Sequence, residues 1–290
     1  MQTKSGFQKA AALLAVVGLA ACGGNDEPTP TAVAQVSYQS LDPVKPLTVP
    51  ATLRIPNAAP GMPAVVIVHG SGGIDSRGPS YAAELNKAGI ATLEIDMWTP
   101  RGVVGLANRP RTVAETLPDA YGAFKYLASQ PGIDAKRIGI MGFSWGGVVS
   151  MLTATRPYTE QYLGSGAKFA AHAPNYPVCW VYNRVPGYEF NSFTGAPVFI
   201  QGGELDTYDL PDTCPTLVQS VQVAAPGLVS VKMYAGATHA FDRVTEPDTT
   251  VTDPFSHLGR GGDVDFKANP AVAAQSRAAT VAFFRASFGL

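Results

Sequence analysis

Ser144 stands in the sequence GFSWG at residues 142–146, which fits the pattern G-x-S-x-G. A predicted strand at 137–141 comes before it and a helical segment reaching about residue 155 follows, so the pattern is predicted to lie at a strand-to-helix turn. Flanking glycines leave room for a sharp turn that projects the hydroxyl above a sheet. Because a serine hydroxyl is a weak nucleophile until a base lies within hydrogen-bond reach, the sequence predicts nucleophilic catalysis by Ser144 with a histidine as its base.

The chain holds four histidines, and their positions along the predicted elements distinguish them. His239 comes shortly after the last predicted strand, where a loop residue can reach back over the sheet, and we predict it as the general base. His69 ends a buried strand and is expected to support a glycine loop. His172 lies within or at the end of a strand, between alanines, and His257 lies in a polar loop. These three are the weaker alternatives.

The third member of such a site must be a carboxylate that holds the imidazole tautomer and stabilises the imidazolium formed during attack. Asp206 ends the sequence GGELD directly after a predicted strand. Its place between the serine and the histidine gives the order Ser, Asp, His, which is typical of α/β-hydrolases. We therefore predict Asp206 as the acid, while Glu204 and Asp209 in the same loop remain alternatives.

Two backbone N–H groups are candidates for stabilising the charge that develops on a substrate carbonyl oxygen. The N–H of Trp145 follows the nucleophile and opens a helix, and the N–H of Ser71 lies in the glycine loop HGSGG at 69–73. Neither glycine stretch fits a phosphate-binding pattern, so no nucleotide is expected. The cysteines, histidines and aspartates fit no metal-site spacing. We therefore expect neither a metal nor a cofactor.

Strands and helices alternate along most of the chain. This alternation predicts an α/β fold with a mostly parallel central sheet, right-handed crossovers, helices on both faces and functional loops at the carboxyl ends of the strands. Two stretches at 174–195 and 241–269 do not fit the alternation and are expected to be long loops that shape the substrate pocket. The predicted strands lie at 64–68, 90–95, 137–141, 168–173, 197–201 and 228–234, and the predicted helices at 81–88, 112–129, about 145–155, 216–223 and 271–288.

Four motifs together resemble the dienelactone hydrolase family of α/β-hydrolases: HGSGG at 69–73, GFSWGG at 142–147, GGELD at 202–206 and HAF at 239–241. The resemblance spans about residues 62–288. It implies the α/β-hydrolase fold and an ester or lactone substrate cleaved without a cofactor.

The same resemblance implies roles for three residues, namely Ser144 as nucleophile, Asp206 as acid and His239 as base. The family's type members carry cysteine at the position of Ser144 and glycine at that of Ala240. This sequence is therefore expected to be a general carboxylesterase acting on a small-molecule ester.

Two other kinds of function remain open. A non-catalytic binding module at a membrane surface could retain the fold and hold a hydrophobic ligand. A peptidase is the weaker alternative, because amide leaving groups need protonation and tight positioning, and no motif is present that would hold a peptide terminus.

Composition limits the remaining classes of fold and of binding partner. The chain has 290 residues, 46% of them hydrophobic and 15% charged, with a formal net charge of -1. This length and apolar content suit one large domain or two small ones, folded around a substantial core. No basic stripe that could neutralise phosphates is present, so nucleic acid is excluded as an expected partner. No obligate protein partner is inferred.

The N-terminus has the pattern of an export signal. Lys4 and Lys9 precede an uncharged run at 10–21 that is too short to span a bilayer. The run ends in LAAC, which resembles the bacterial lipobox, in which the cysteine, here Cys22, is acylated and becomes the first mature residue. An ordinary secretory signal is the alternative. The expected organisation is a signal peptide at 1–21, a lipidated cysteine and flexible tether at 22–35, and one domain at 36–290, anchored to a membrane and facing the periplasm.

Cys179 and Cys214 are the other two cysteines, one in the first long loop and one shortly after the predicted acid. Because an exported protein meets oxidising conditions, we predict a disulfide between them. Two unrelated buried thiols are the alternative.

Overall fold

The computed structural model describes residues 31–56, 60–105 and 108–290, over which strands and helices alternate as expected. Single turns of 3-10 helix lie at Thr99–Arg101, Val113–Thr116 and Cys179–Val181. The strands are β1 (Ala32–Gln39), β2 (Thr48–Ile55), β3 (Met62–Val68), β4 (Ala91–Ile95), β5 (Ile133–Phe143), β6 (His172–Asn175), β7 (Val198–Gly203), β8 (Val229–Tyr234), β9 (Thr249–Asp253) and β10 (Gly262–Phe266), and the helices are α1 (Arg77–Lys87), α2 (Leu117–Ala128), α3 (Trp145–Leu152), α4 (Arg156–Leu163), α5 (Thr213–Gln222), α6 (Ser256–Gly259) and α7 (Pro270–Phe288).

Eight strands form one sheet in the order β1-β2-β4-β3-β5-β6-β7-β8. The six strands from β4 to β8 in this order pair in parallel, and β1 and β2 are added antiparallel at one edge. Every residue of β3 and β4 is buried, as the continuous apolar runs of strands covered on both faces require. The predicted α/β-hydrolase fold with a mostly parallel sheet is confirmed.

The core lies on both faces of this sheet. Alternate residues of β3 enter different clusters: Val66 and Val68 pack with residues of α2, α3 and α5 on one face, whereas Val65 and Ile67 pack with residues of α1 and α7 on the other. This division follows the two-residue period of a strand. Among the described residues, no helix combines the length and the apolar character that crossing a bilayer requires.

The folded part begins earlier than expected. The sequence predicts residues 32–35 to be part of the tether, but Ala32 pairs with Ile55 and Gln35 with Thr52, so β1 starts four residues before the predicted boundary at Val36. Most β1 side chains are exposed because the strand lies at the sheet edge, and it therefore lacks the apolar pattern of a central strand. The predicted signal peptide and Cys22 lie outside the described residues.

The fourth predicted strand is displaced along the chain. The sequence predicts this strand at 168–173, whereas β6 begins at His172. Phe169 and Ala171 are fully buried and account for the apolar signal. The N–H of Ala170 already donates to the carbonyl of Ile138 at 2.7 Å, but the regular ladder starts only two residues later.

The second long loop contains regular structure that its composition did not indicate. Strands β9 and β10 pair antiparallel between residues 249 and 266, within the predicted loop at 241–269. Their exposed face carries polar cross-strand pairs rather than apolar side chains, such as Thr250 with Asp265 at 2.8 Å. Helix α4 was also not predicted, because among its residues only Thr159 is buried.

Candidate active site

Ser144 occupies a strained turn between β5 and α3. Its backbone has φ 51° and ψ -108°, a left-handed conformation that is rare for a residue with a side chain. A Cβ atom on Gly142 would overlap the backbone of Gly146, and one on Gly146 would overlap the carbonyl oxygen of Val68. The two glycines of the motif therefore allow the turn to close and α3 to approach the end of β3.

The structure brings Ser144, His239 and Asp206 into one hydrogen-bonded row. Ser144 Oγ lies 2.9 Å from His239 Nε2, and His239 Nδ1 lies 2.7 Å from Asp206 Oδ2. With the carboxylate as acceptor, Nδ1 carries the hydrogen and Nε2 is free to accept the serine proton. His239 and Asp206 are buried, with 1% and 7% of their surfaces exposed, so bulk water competes little for these contacts.

Three aromatic rings hold the imidazole of His239. Tyr208 stacks on it with ring centroids 5.0 Å apart, Tyr176 approaches edge-on at 4.8 Å, and Phe266 lies at 5.5 Å. Tyr208 lies in the same loop as Asp206, Tyr176 follows β6, and Phe266 ends β10. The ring is therefore fixed from several sides in the orientation that contacts both the serine and the carboxylate.

Glu204 and Asp209, the alternatives for the acid, lie elsewhere in the loop. Glu204 is exposed. The Asp209 carboxylate accepts hydrogen bonds from the N–H groups of Leu210 at 2.9 Å and Trp180 at 3.3 Å. Burial raises the pKa of Asp209 to about 6. Of the three acids, Asp206 is the one that the described structure places against His239.

The other three histidines contact backbone carbonyl groups and not Ser144 or Asp206. His69 Nδ1 contacts the Gly70 carbonyl at 2.7 Å, and burial lowers the pKa of His69 to about 4. His172 contacts the Ser150 carbonyl at 3.0 Å at the amino end of β6, and burial lowers its pKa to about 3. His257 is half-buried, with Nε2 2.8 Å from the carbonyl of Asp263.

A cavity of about 260 Å³ opens beside the serine and is lined by Ser71, Ser144 and Trp145. Ligand pockets commonly measure roughly 300 to 1,000 Å³, so this one suits a compact group. Phe255 of the predicted loop at 241–269 also lines the cavity. The predicted loop at 174–195 supplies a largely apolar wall made of Val178, Trp180, Val181, Val185, Pro186 and Tyr188.

Two arginines of the pocket are not predicted from the sequence. Arg109 lines the cavity and donates to the carboxylate of Asp253 at 2.7 Å. Arg111 lines it as well, with an exposed side chain. Both lie between the second and third predicted strands, in a stretch with no motif, and the pairing of Arg109 spans 144 residues. The sequence carries no local signal for such a contact.

A buried polar cluster beside the site was also missed. The Asp242 carboxylate accepts from the hydroxyls of Tyr81 at 2.9 Å and Tyr176, and Arg77 donates to the Tyr176 hydroxyl at 3.0 Å. Burial raises the pKa of Asp242, while the Arg77 cation and the two tyrosine hydroxyls oppose that rise. The cluster fixes Tyr176 and, through its ring, the imidazole of His239.

The predicted disulfide between Cys179 and Cys214 is present. It joins the 3-10 turn that carries Trp180 and Val181 into the pocket wall to the first turn of α5. Asp209 lies close to both sulfur atoms, but bonded sulfurs offer no thiolate for a metal ion. The bridge therefore connects the pocket wall with the segment that presents the acid.

Comparison with known proteins finds a family that matches most of the chain. The model of the dienelactone hydrolase family matches residues 49–288. A probable 2-oxo-3-(5-oxofuran-2-ylidene)propanoate lactonase from Bradyrhizobium sp. is 27% identical over 201 residues, covering 66% of this chain and 78% of the relative.

Solved structures share the fold. A dienelactone hydrolase-like promiscuous phosphotriesterase from metagenomic libraries superposes with a TM-score of 0.60 at 17% identity, covering 87% of this chain and 98% of that one. Thermogutta terrifontis esterase 2, phosphorylated by paraoxon, superposes with a TM-score of 0.59 at 15% identity, covering 91% and 96%. The chain belongs to the dienelactone hydrolase family and is a hydrolase.

Proposed function

We propose that this protein hydrolyses carboxylic esters through an acyl-enzyme on Ser144, with His239 as general base and Asp206 as its orienting acid. The observation that carries the proposal is the row from Ser144 Oγ to His239 Nε2 at 2.9 Å and from His239 Nδ1 to Asp206 Oδ2 at 2.7 Å. Buried hydrogen-bonded rows of this kind activate a serine hydroxyl as nucleophile.

The steps follow from the atoms present. Ser144 Oγ attacks the ester carbonyl carbon while its proton moves to His239 Nε2, and Asp206 stabilises the imidazolium. The tetrahedral oxyanion accepts from the N–H groups of Ser71 and Trp145, two residues that line the cavity. Collapse expels the alcohol, which takes the proton from Nε2. Water then attacks the acyl-enzyme with His239 again as base and releases the acid.

The substrate expected is a compact ester whose acyl or alcohol group is apolar. The wall made by Val178, Val181 and Tyr188 offers mainly apolar surface, and the Arg109 cation is paired with Asp253. A lactone is the second candidate, favoured by the lactonase from Bradyrhizobium sp. named above. Its leaving alcohol would stay attached to the acyl group and give a hydroxy acid.

The direct test uses a short-chain nitrophenyl ester and a fluorophosphonate with the purified domain. Wild-type protein should turn over the ester and form one covalent adduct on Ser144, and Ser144→Ala should lose both. Ser150→Ala is the matched control, because Ser150 lies on the same helix α3 but is buried, with its hydroxyl donating to the carbonyl of Ile140. Folded wild-type protein with neither turnover nor adduct would instead indicate a binding module.

Acylation of Cys22 and a periplasm-facing membrane anchor are part of the same proposal. The sequence LAAC at 19–22, which closes the uncharged run, supports them. Cells expressing the full chain and fed a radiolabelled fatty acid should yield labelled protein in the membrane fraction. Cys22→Ser should abolish the label, and a label retained by this variant would contradict the anchor.

A further inference from the structure

The glycine loop after β3 is held by a chain of hydrogen bonds that starts at the neighbouring strand. The N–H of Met97, just after β4, donates to His69 Nε2 at 3.0 Å. Since Nε2 is an acceptor, Nδ1 of the neutral ring carries the hydrogen. Nδ1 lies 2.7 Å from the carbonyl oxygen of Gly70, to which it donates. The tautomer of His69 is therefore set by the Met97 backbone and directed at one carbonyl group.

That carbonyl belongs to the peptide unit that also contains the Ser71 N–H. The Gly70 oxygen accepts a second hydrogen bond, from the N–H of Gly73 at 3.0 Å. The described chain contains no cis peptide bond, so the N–H of this unit points away from its C=O. Two donors on the oxygen thus fix the direction of the Ser71 N–H and, by polarising the amide, strengthen it as a donor.

The next peptide unit is fixed as well. The indole N–H of Trp98 donates to the Ser71 carbonyl at 2.9 Å. The Trp98 ring lies edge-on to His69 at 5.0 Å and to Trp145 at 5.4 Å. It therefore stands between the histidine that supports the glycine loop and the residue that follows the nucleophile.

We infer that His69 is a positioning residue for catalysis: its Nδ1–H, by holding the Gly70 carbonyl, aims the Ser71 N–H at the oxyanion. This role rests on the proposed serine esterase mechanism. It assigns His69 a function in transition-state stabilisation without contact with the substrate. His69 is 4% exposed, and burial lowers its pKa to about 4, so the ring remains a neutral single-tautomer donor at neutral pH.

The test separates the two ring nitrogens with three variants. His69→Asn places an amide nitrogen near the Nδ1 position, so it retains a donor for the Gly70 carbonyl. His69→Gln reaches toward the Met97 N–H but offers no donor at the Nδ1 position, and His69→Phe removes both contacts. If the donor to Gly70 is what matters, the Asn variant should keep catalysis and the Gln and Phe variants should lose it.

The readout is a pair of nitrophenyl esters that differ in one atom, C=O against C=S. Sulfur is the weaker hydrogen-bond acceptor, so a well-aimed donor favours the oxygen substrate. The kcat/KM for the oxygen ester divided by that for the sulfur ester should fall about tenfold in the Gln and Phe variants. The fall should come mainly from a lower kcat on the oxygen ester. The Asn variant should stay within about threefold of wild type in the same ratio.

His172→Phe is the matched control. His172 is also a buried histidine whose Nδ1 contacts a backbone carbonyl, but it lies at the amino end of β6, away from the catalytic edge. It should lower the melting temperature and leave the ratio unchanged.

If His69→Gln and His69→Phe lose stability while the ratio remains at the wild-type value, His69 is only structural and the inference is overturned. Failure of the serine mechanism itself would show differently, as ester turnover by Ser144→Ala or no turnover by wild type.

Discussion

The guanidinium of Arg109 lies 2.7 Å from the carboxylate of Asp253, and both side chains are nearly buried, at 11% and 3% exposed. The pair connects the segment before the Val113–Thr116 turn to strand β9. Arg109 also lies over the rings of Trp145 and Phe255, at 5.9 and 5.6 Å from their centroids. One side chain thus joins the residue after the nucleophile to the hairpin that borders the pocket.

Removing this cation should cost both stability and substrate binding. Arg109→Met leaves the Asp253 carboxylate buried without its partner, which should lower the free energy of unfolding by about 3 kcal/mol. KM should rise because the segment before the Val113–Thr116 turn is no longer joined to β9 at the border of the pocket, while kcat should change less. Urea unfolding and steady-state kinetics measure the two effects.

Two controls test whether the unpaired buried charge causes the loss of stability. Arg109→Met combined with Asp253→Leu should recover part of the lost stability, because the unpaired charge is removed. Lys267→Met breaks an exposed ion pair on the same hairpin, at 59% and 41% side-chain exposure, and should leave the unfolding curve unchanged. An unfolding curve of Arg109→Met equal to that of wild type would show that the buried pair does not stabilise the fold.

Asp206→Asn should lower kcat by about 10³- to 10⁴-fold, because an amide no longer holds the imidazole in the tautomer that accepts the serine proton. KM should change little, since the carboxylate lies behind His239 and away from the cavity. Glu204→Gln, in the same loop and exposed, is the control and should retain wild-type kcat. Stopped-flow or steady-state ester hydrolysis would decide, and equal losses in both variants would refute the assignment of the acid.

Asp209→Asn should change how stability depends on pH. Burial raises the pKa of Asp209 to about 6 from an ordinary value of 3.8, so between these values the folded protein binds more protons than the unfolded chain. The contribution of Asp209 to stability is thus complete below about pH 4 and is lost as the pH rises through 6. Relative to wild type, the variant should gain up to about 3 kcal/mol between pH 4 and 7.

Paired unfolding curves at pH 4.5, 5.5 and 6.5 measure this difference. A constant offset between the variant and wild type at all three values would show that Asp209 does not titrate in this range. Because Asp209 accepts from the Trp180 N–H at the pocket wall, kinetics should be recorded alongside.

Reducing the disulfide between Cys179 and Cys214 should lower the unfolding free energy by about 3 to 4 kcal/mol, because the bridge closes a loop with a sequence separation of 35 residues. KM should rise too, since the bridge holds the turn that carries Trp180. Thermal unfolding with and without a reductant measures the first effect. The double variant Cys179→Ala, Cys214→Ala should match reduced wild type and be insensitive to the reductant; sensitivity in the variant would point to another cause.

Gly146→Ala should prevent the turn after β5 from closing. Its Cβ would overlap the carbonyl oxygens of Val68 and His69, which are backbone atoms that cannot move aside, so we expect a loss of about 3 kcal/mol or more. Gly72 is the matched control, because no atom lies within 4 Å of a Cβ built there. Gly72→Ala should change stability by less than about 0.5 kcal/mol. Circular dichroism during heating would show whether the two variants differ.

The sequence predicts best those positions where a short local pattern has a single physical cause. Val65 and Ile67 belong to an apolar run because their strand is covered on both faces, and the glycines around Ser144 are present because the turn excludes side chains. His239 and Asp206 follow apolar strands, and parallel strands bring their carboxyl ends to one edge.

Contacts between distant, polar segments could not be predicted in the same way. Arg109 and Asp253 are 144 residues apart, and neither lies in a motif. The β9–β10 hairpin pairs threonines with aspartates, so it lacks the alternation that marks a strand. Asp242 follows His239 by three residues, but its tyrosine partners come from α1 and from the segment after β6.

The antiparallel pairing of β1 with β2 sets where the polypeptide enters the domain. Ala32 pairs with Ile55, and the neighbouring Arg54 pairs with Thr92 near the start of β4, so Ala32 lies at the amino edge of the parallel strands, opposite to Ser144. A carrier protein or a bead joined directly at Ala32 would therefore be attached on the side of the sheet opposite to Ser144. Immobilised in this way, the enzyme would draw substrate from the surrounding liquid, with the support on its far side.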